Sequence, residues 1–147
     1  MKPLHILVLS MFLPAAAAAA QEAAPVRVVM DPQGVTLAEF LWIKRPVIVF
    51  ADSPNDPSFQ RQMEMIAEDE GQLAARDVVV ITDTNPGAKS GLRQKFRPRG
   101  FSLTILDKDG EVELRKPLPW DVREITRAID KFPLARQEIL ERFPAGR

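Results

Sequence analysis

The stretch PVIVFADSPNDPSFQRQ, residues 46–62, gathers four polar side chains where an apolar run gives way to a helix started by proline: Asp52, Ser53, Asn55 and Asp56, around Pro54. A helix N-terminus presents free amide hydrogens that favour anions. With Ser53 and Asn55 as further donors, this loop could orient an anionic or carbonyl-bearing ligand. Asp52 and Asp56 also offer two carboxylates, the currency of general acid and base work, although the same charges repel an anion. A plainer use competes with both. Asp56 can satisfy the helix amides itself, as an N-cap before proline at the first helical position, while Asp52 supports the turn.

A second group is basic. Lys89, Arg93, Lys95, Arg97 and Arg99 precede the apolar run that begins at Phe101. A guanidinium matches paired oxygens, so Arg97 or Arg99 could grip a phosphate, a carboxylate or an acidic partner near the same loop. The alternative is a solvated helix face that pairs with Glu64, Glu68, Asp69 and Glu70. Acidic residues also crowd the segment 107–113, with Asp107, Asp109, Glu111 and Glu113, but their spacing misses the twelve-residue calcium loop and reads as a solvated hairpin tip.

What the chain lacks narrows the chemistry further. Among 147 residues there is no cysteine and no tyrosine, and the single histidine is His5. A histidine-based triad has no base outside the first few residues, disulfide exchange has no thiol, and a typical zinc site lacks its nitrogen and sulfur ligands. Carboxylate, lysine, hydroxyl and backbone chemistry remain. Twenty basic residues balance twenty acidic ones, which argues against nucleic acid as the principal partner.

The first residues, MKPLHILVLSMFLPAAAAAA, place one lysine before an apolar stretch and end in small residues. That pattern predicts a secretory signal peptide over residues 1–20, cleaved near Ala20. The apolar part is too short for the roughly 20 residues that span a bilayer. Export, most simply to a bacterial periplasm, is the expectation. Export permits disulfides, yet none can form, so the domain is expected to rest on its core alone. Residues 21–34 read as a flexible N-terminal segment, and residues 35–147 as a single domain with one core.

The elements that must position these groups are legible from periodicity. Thr36 and Glu39 have capping-box spacing before a short helix through Trp42. Residues 47–50 are continuously apolar, as in a strand covered on both faces. Asp56-Pro57 opens a helix in which Phe59, Met63, Ile66 and Leu73 recur at helical spacing to about Ala75, with Gly71 as its weak point. DVVVITD, residues 77–83, is a second buried strand, and strand–helix–strand at this length implies a parallel pair with a right-handed crossover. A short helix from Ser90 carries Leu92 and Phe96 inward. Two extended segments, FSLTIL and EVELR, flank Asp109-Gly110, a strong hairpin signal. Asp121 caps a helix with Val122, Ile125, Ile129 and Phe132 on one face, and Pro133 starts another that presents Ile139, Leu140 and Phe143. Trp42 and Trp120 read as core or rim packing rather than a ligand platform, and Met63 and Met65 as packing residues on the long helix.

This order predicts an α/β, thioredoxin-like sandwich: a central mixed four-stranded sheet built as βαβ, helix, β-hairpin, helix, with flanking helices. The segment from Phe101 should lie antiparallel to residues 47–50, beside the polar loop.

RPVIVFADSPNDPSFQRQ, ARDVVVI, FSLTILDKDGEVELR and AIDKFPLARQE together resemble the domain of unknown function 4174 family, a peroxiredoxin-like branch of thioredoxin-fold proteins whose relatives include secreted bacterial proteins and domains of vertebrate sushi-repeat extracellular proteins. The likeness spans about residues 42–138 and implies a fold rather than a reaction. It implies that the loop from Ser53 to Asp56 stands where a catalytic thiol would sit, and that Ser102 stands where thioredoxins keep a cis-proline. Both marks of a thiol oxidoreductase are thus replaced, and a serine cannot act as a thiolate in redox exchange.

The expectation is an exported, cysteine-free binding or interaction module with candidate ligand-binding residues Asp52, Ser53, Asn55, Asp56, Arg97, Arg99 and Ser102. No catalytic residue, metal or cofactor is assigned. The expected partner is a protein or a small anionic ligand, with no nucleic acid and no stable membrane span. The competing expectations are a carboxylate- or metal-dependent enzyme using Asp52 and Asp56, and a degenerate peroxiredoxin-like oxidoreductase.

Overall fold

A computed structural model describes residues 25–144. The leader expected at residues 1–20 lies outside this span. Five strands form one mixed sheet: β1 (Arg27–Val29), β2 (Arg45–Phe50), β3 (Val78–Asp83), β4 (Ser102–Leu106) and β5 (Val112–Lys116). Their spatial order is β1-β3-β2-β4-β5. β3 runs parallel to both β1 and β2, whereas β4 is antiparallel to β2 and to β5. The expected pairing of residues 47–50 with the hairpin is present, with Val47 opposite Ile105 and Phe50 opposite Ser102.

Every residue of β2, β3 and β4 is buried, which is why residues 47–50 and 78–81 read as unbroken apolar runs rather than alternating ones. One face of the sheet packs Val47, Val49, Val80, Leu103 and Ile105 against α1 (Pro57–Glu68), α2 (Glu70–Ala74) and α4 (Val122–Ile129), through Phe59, Ile66, Leu73, Ile125 and Ile129. The other packs Ile48, Phe50, Ile81 and Leu106 against Phe40 and against Leu92 and Phe96 of α3 (Gly91–Phe96). A last helix, α5 (Pro133–Arg142), closes the domain and buries Ala135.

Several expectations change. The sheet has five strands, because Arg27–Val29, assigned to a flexible segment, pairs with Val79, Val80 and Ile81; three residues with an exposed arginine are too short to show a period. Thr36 makes no side-chain cap, and Leu37–Phe40 is a single 3-10 turn. The long helix breaks at Asp69 rather than at Gly71. Glu68 and Asp69 place two negative charges at the C-terminus of α1, where the macrodipole opposes them, and Glu70 falls in the first turn of α2, where it is favoured. Trp42 is not a packing residue: it is 67 % exposed with φ 64°, and its amide donates to the Lys108 carbonyl at 2.7 Å.

The core is not alone in holding the chain. Arg45 and Asp107 are each only 1 % exposed, so Asp107 does not belong to a solvated hairpin tip. Arg45 Nε donates to Asp107 Oδ1 at 2.9 Å and Arg45 Nη1 to the Arg76 carbonyl at 3.1 Å. Arg45 Nη2 lies 3.1 Å from Glu138 Oε1 as a charge contact without hydrogen-bond alignment. Lys108 Nζ bridges Asp77 at 2.8 Å and Glu138 at 2.9 Å. This network ties β2, the hairpin and α5 together at the end of the sheet where the parallel strands begin.

Burial would raise the Glu138 pKa, but the hydrogen bond from Lys108 and the charge of Arg45 outweigh it and hold the carboxyl below its ordinary value. A depressed carboxyl pKa adds stability above the unfolded-state value, and that stability is lost as pH falls through the folded value. Glu138→Gln is therefore expected to be less stable than the parent protein at neutral pH, with the gap closing through the acidic range below pH about 4. Denaturant titrations across pH check this; a gap that persists unchanged at acidic pH would refute it.

Candidate functional site

The loop after β2 is built for local order. Asp56 Oδ1 accepts from the Ser58 amide at 2.8 Å and the Phe59 amide at 3.0 Å, a cap worth about 1 kcal/mol. Ser53 Oγ accepts from the Asn55 amide at 3.1 Å. The amides that would have received an anion are thus occupied by Asp56 itself, and Asp52 stands exposed beside them. Loop residues 52–56 do not line the open groove formed by Arg97, Arg99, Ser102 and their neighbours.

The end of β2 is held by a second buried network. Arg93 Nε donates to Asp83 Oδ1 at 2.8 Å, and its Nη2 donates to the Asp83 carbonyl at 2.9 Å and to the Ala51 carbonyl. Ser90 Oγ donates to Asp83 Oδ2 and, as the N-cap of α3, accepts from the Arg93 amide. The Arg93 guanidinium also lies 5.7 Å from the centre of the Phe50 ring. Arg93 therefore belongs to the interior, not to a solvated face paired with Glu64, Glu68, Asp69 or Glu70.

Arg97, Arg99 and Ser102 come together in a groove that residues 52–56 do not line, although Ser102 pairs with Phe50, two residues before Asp52. With Pro98, Phe101, Arg115, Lys116 and Pro117 they line an open groove of about 410 Å³. The wall formed by residues 97–101 takes its shape from two left-handed residues, Arg97 at φ 47° as the C-cap of α3 and Gly100 at φ 61°. Such a C-cap ends a helix abruptly and turns the chain back. The floor is Ser102, buried opposite Phe50 at the start of β4. β5 supplies the other wall. Arg115 Nη1 donates to the Phe96 carbonyl at 2.9 Å, and the Lys116 ammonium lies 4.8 Å from the Trp120 ring centre.

Four basic residues thus line a groove whose lining contains no carboxylate. Arg97, Arg99, Arg115 and Lys116 make no salt bridge among the described residues. Basic residues without a carboxylate partner around a concavity of this size suit an anion that carries several oxygens. Arg115 and Lys116 were not singled out by sequence reasoning. The signal for them was the hairpin itself: Asp109-Gly110 sets a register that puts Lys116 across from Leu103 and Arg115 across from Thr104, hence beside Ser102.

Elsewhere, burial, followed by the charges of Asp107, Asp109 and Glu111, pushes the Glu113 carboxyl up. Among the described residues, no group of three or more histidine, cysteine, aspartate or glutamate side chains is placed to hold a metal ion, and no helix is long and apolar enough to cross a membrane.

Comparison with known proteins bears on the fold. Chloroplastic thioredoxin z superposes with a TM-score of 0.54 at 18 % identity, covering 72 % of this chain and 92 % of that one. A reduced 2-Cys peroxiredoxin of Plasmodium vivax gives 0.55 at 15 % identity, with 73 % and 85 % covered. Desulfothioredoxin of Desulfovibrio vulgaris Hildenborough, in its reduced form, gives 0.52 at 14 %, with 74 % and 100 % covered. At these identities the likeness is one of fold, and the fold is thioredoxin-like. No curated protein matches the chain significantly. Residues 36–138 match the family described as Domain of unknown function (DUF4174).

Proposed function

The chain belongs to the family described as domain of unknown function DUF4174, and from that premise we propose that it is an exported, non-redox binding module that receives an anionic ligand or acidic partner in the groove between residues 97–102 and 115–117. The observation that carries this reading is the set of four cations without a carboxylate around one concave surface at the head of β4. The scaffold is shared with thiol enzymes, but a chain without cysteine has no thiolate to attack a disulfide or a peroxide. What the scaffold retains is a shaped end of the sheet, and here that end is basic.

Export rests on the leader-like sequence of residues 1–20 and points to a bacterial periplasm. An enzyme built on Asp52 and Asp56 has less support, since Asp56 is committed to its helix and neither carboxylate lines the groove.

Titration of isotope-labelled protein with citrate at low salt is the test. Amide shifts are expected to cluster at residues 97–102 and 115–117. R97E/R99E should weaken binding about tenfold or more, because two guanidinium donors to the anion are replaced by carboxylates that repel it. Both arginines are exposed, so the variant should fold. Shifts confined to other surfaces, or affinity unchanged in the variant, would overturn the reading.

A further inference from the structure

Two of the groove's four cations belong to a strand that has only one neighbour. β5 closes one side of the sheet, so beyond its pairing with β4 the other edge of its backbone meets no strand among the described residues. Edge strands of this kind are templates for an added strand unless they are short, bulged, covered or charged. β5 is five residues long, and its one irregularity leaves Glu113 unpaired between Leu114 and Val112, so the regular stretch of this edge is Leu114–Lys116. The charges on this edge divide by position: Glu113 lies toward the hairpin turn, and Arg115 and Lys116 at the groove. A bare strand edge therefore runs directly into a basic concavity.

We infer that the groove takes an extended acidic polypeptide segment, which adds as a sixth strand along β5 and lays its carboxylates against Arg97, Arg99, Arg115 and Lys116. This deepens the binding reading above and rests on it. Small anions and peptides would both satisfy the cations, but only an extended polypeptide satisfies the cations and the open backbone edge together. Main-chain hydrogen bonds to β5 supply register and affinity, and the basic walls select acidic over basic segments. A groove of about 410 Å³, open at its mouth, accommodates two or three side chains rather than enclosing one ion. Glu113, further along the same edge, disfavours continued pairing of an acidic strand and so limits the docked segment to the groove end.

The experiment uses three probes with the intact protein: a labelled peptide alternating glutamate and threonine, the same peptide with alternate backbone amides methylated, and citrate. Methylation removes hydrogen-bond donors and leaves charge intact, as proline does in a strand. The proposal expects the plain peptide to bind more tightly than citrate, to lose about tenfold or more on methylation, and to lose about tenfold or more against R97E/R99E. If plain and methylated peptides bind alike, or if citrate binds and neither peptide does, strand addition is overturned while the basic groove stands. If no probe responds to R97E/R99E, the groove reading fails and the proposal with it.

Discussion

Asp107→Asn is expected to lower stability by roughly 3 kcal/mol or more, because removing one member of a buried ion pair strands the other. Arg45, 1 % exposed, would keep only Glu138 as a charge partner, in a poorly aligned contact at 3.1 Å. The loss extends beyond the pair. Asp107 also accepts from the Lys108 amide at 2.9 Å and the Leu134 amide at 3.3 Å, which fixes the start of the hairpin turn and the first turn of α5. Denaturant titration at neutral pH reads the effect. Arg45→Met combined with Asp107→Asn should be less destabilised than the two single changes added together, since the orphaned charge is gone. A loss under about 1 kcal/mol for Asp107→Asn would mean the pair contributes little, as exposed pairs do.

Arg93→Met is expected to cost a similar amount, roughly 3 kcal/mol, and to act on the opposite end of the same strand. Asp83 would remain buried with Ser90 as its principal donor, and the Ala51 carbonyl would lose the donor that fixes the exit of β2. Faster hydrogen exchange at residues 51–56 is expected alongside the lower denaturation midpoint. Asp83→Asn should rescue part of the loss in the double variant. If exchange at these residues is unaltered in Arg93→Met, the guanidinium does not hold the loop.

The fold was legible in the sequence where burial imposes a local pattern. Residues 47–50 and 78–83 are apolar almost without interruption because both faces are covered, and Asp56-Pro57 announces a helix start through groups two and three residues apart. Of the candidate residues, Arg97, Arg99 and Ser102 line one groove, whereas Ser53 and Asp56 serve their own turn and helix and Asp52 and Asn55 stand exposed beside them. The rest depends on distance along the chain. Arg45 and Asp107 are 62 positions apart, Arg93 and Ala51 are 42 apart, and no periodicity joins them. Arg93 sits among other basic residues and looks like one of them; only the third dimension sends it inward. β1 escaped for the opposite reason, since three residues on an edge leave too little pattern to read.

A guanidinium clamp at each end of β2, with no thiol anywhere in the chain, makes the assembly indifferent to redox poise. Neither an oxidant nor a disulfide isomerase has a part in reaching this fold, and no reductant can loosen it. Such fastenings are complete as soon as the chain has collapsed, and they hold equally in an oxidising space and wherever thiols are kept reduced.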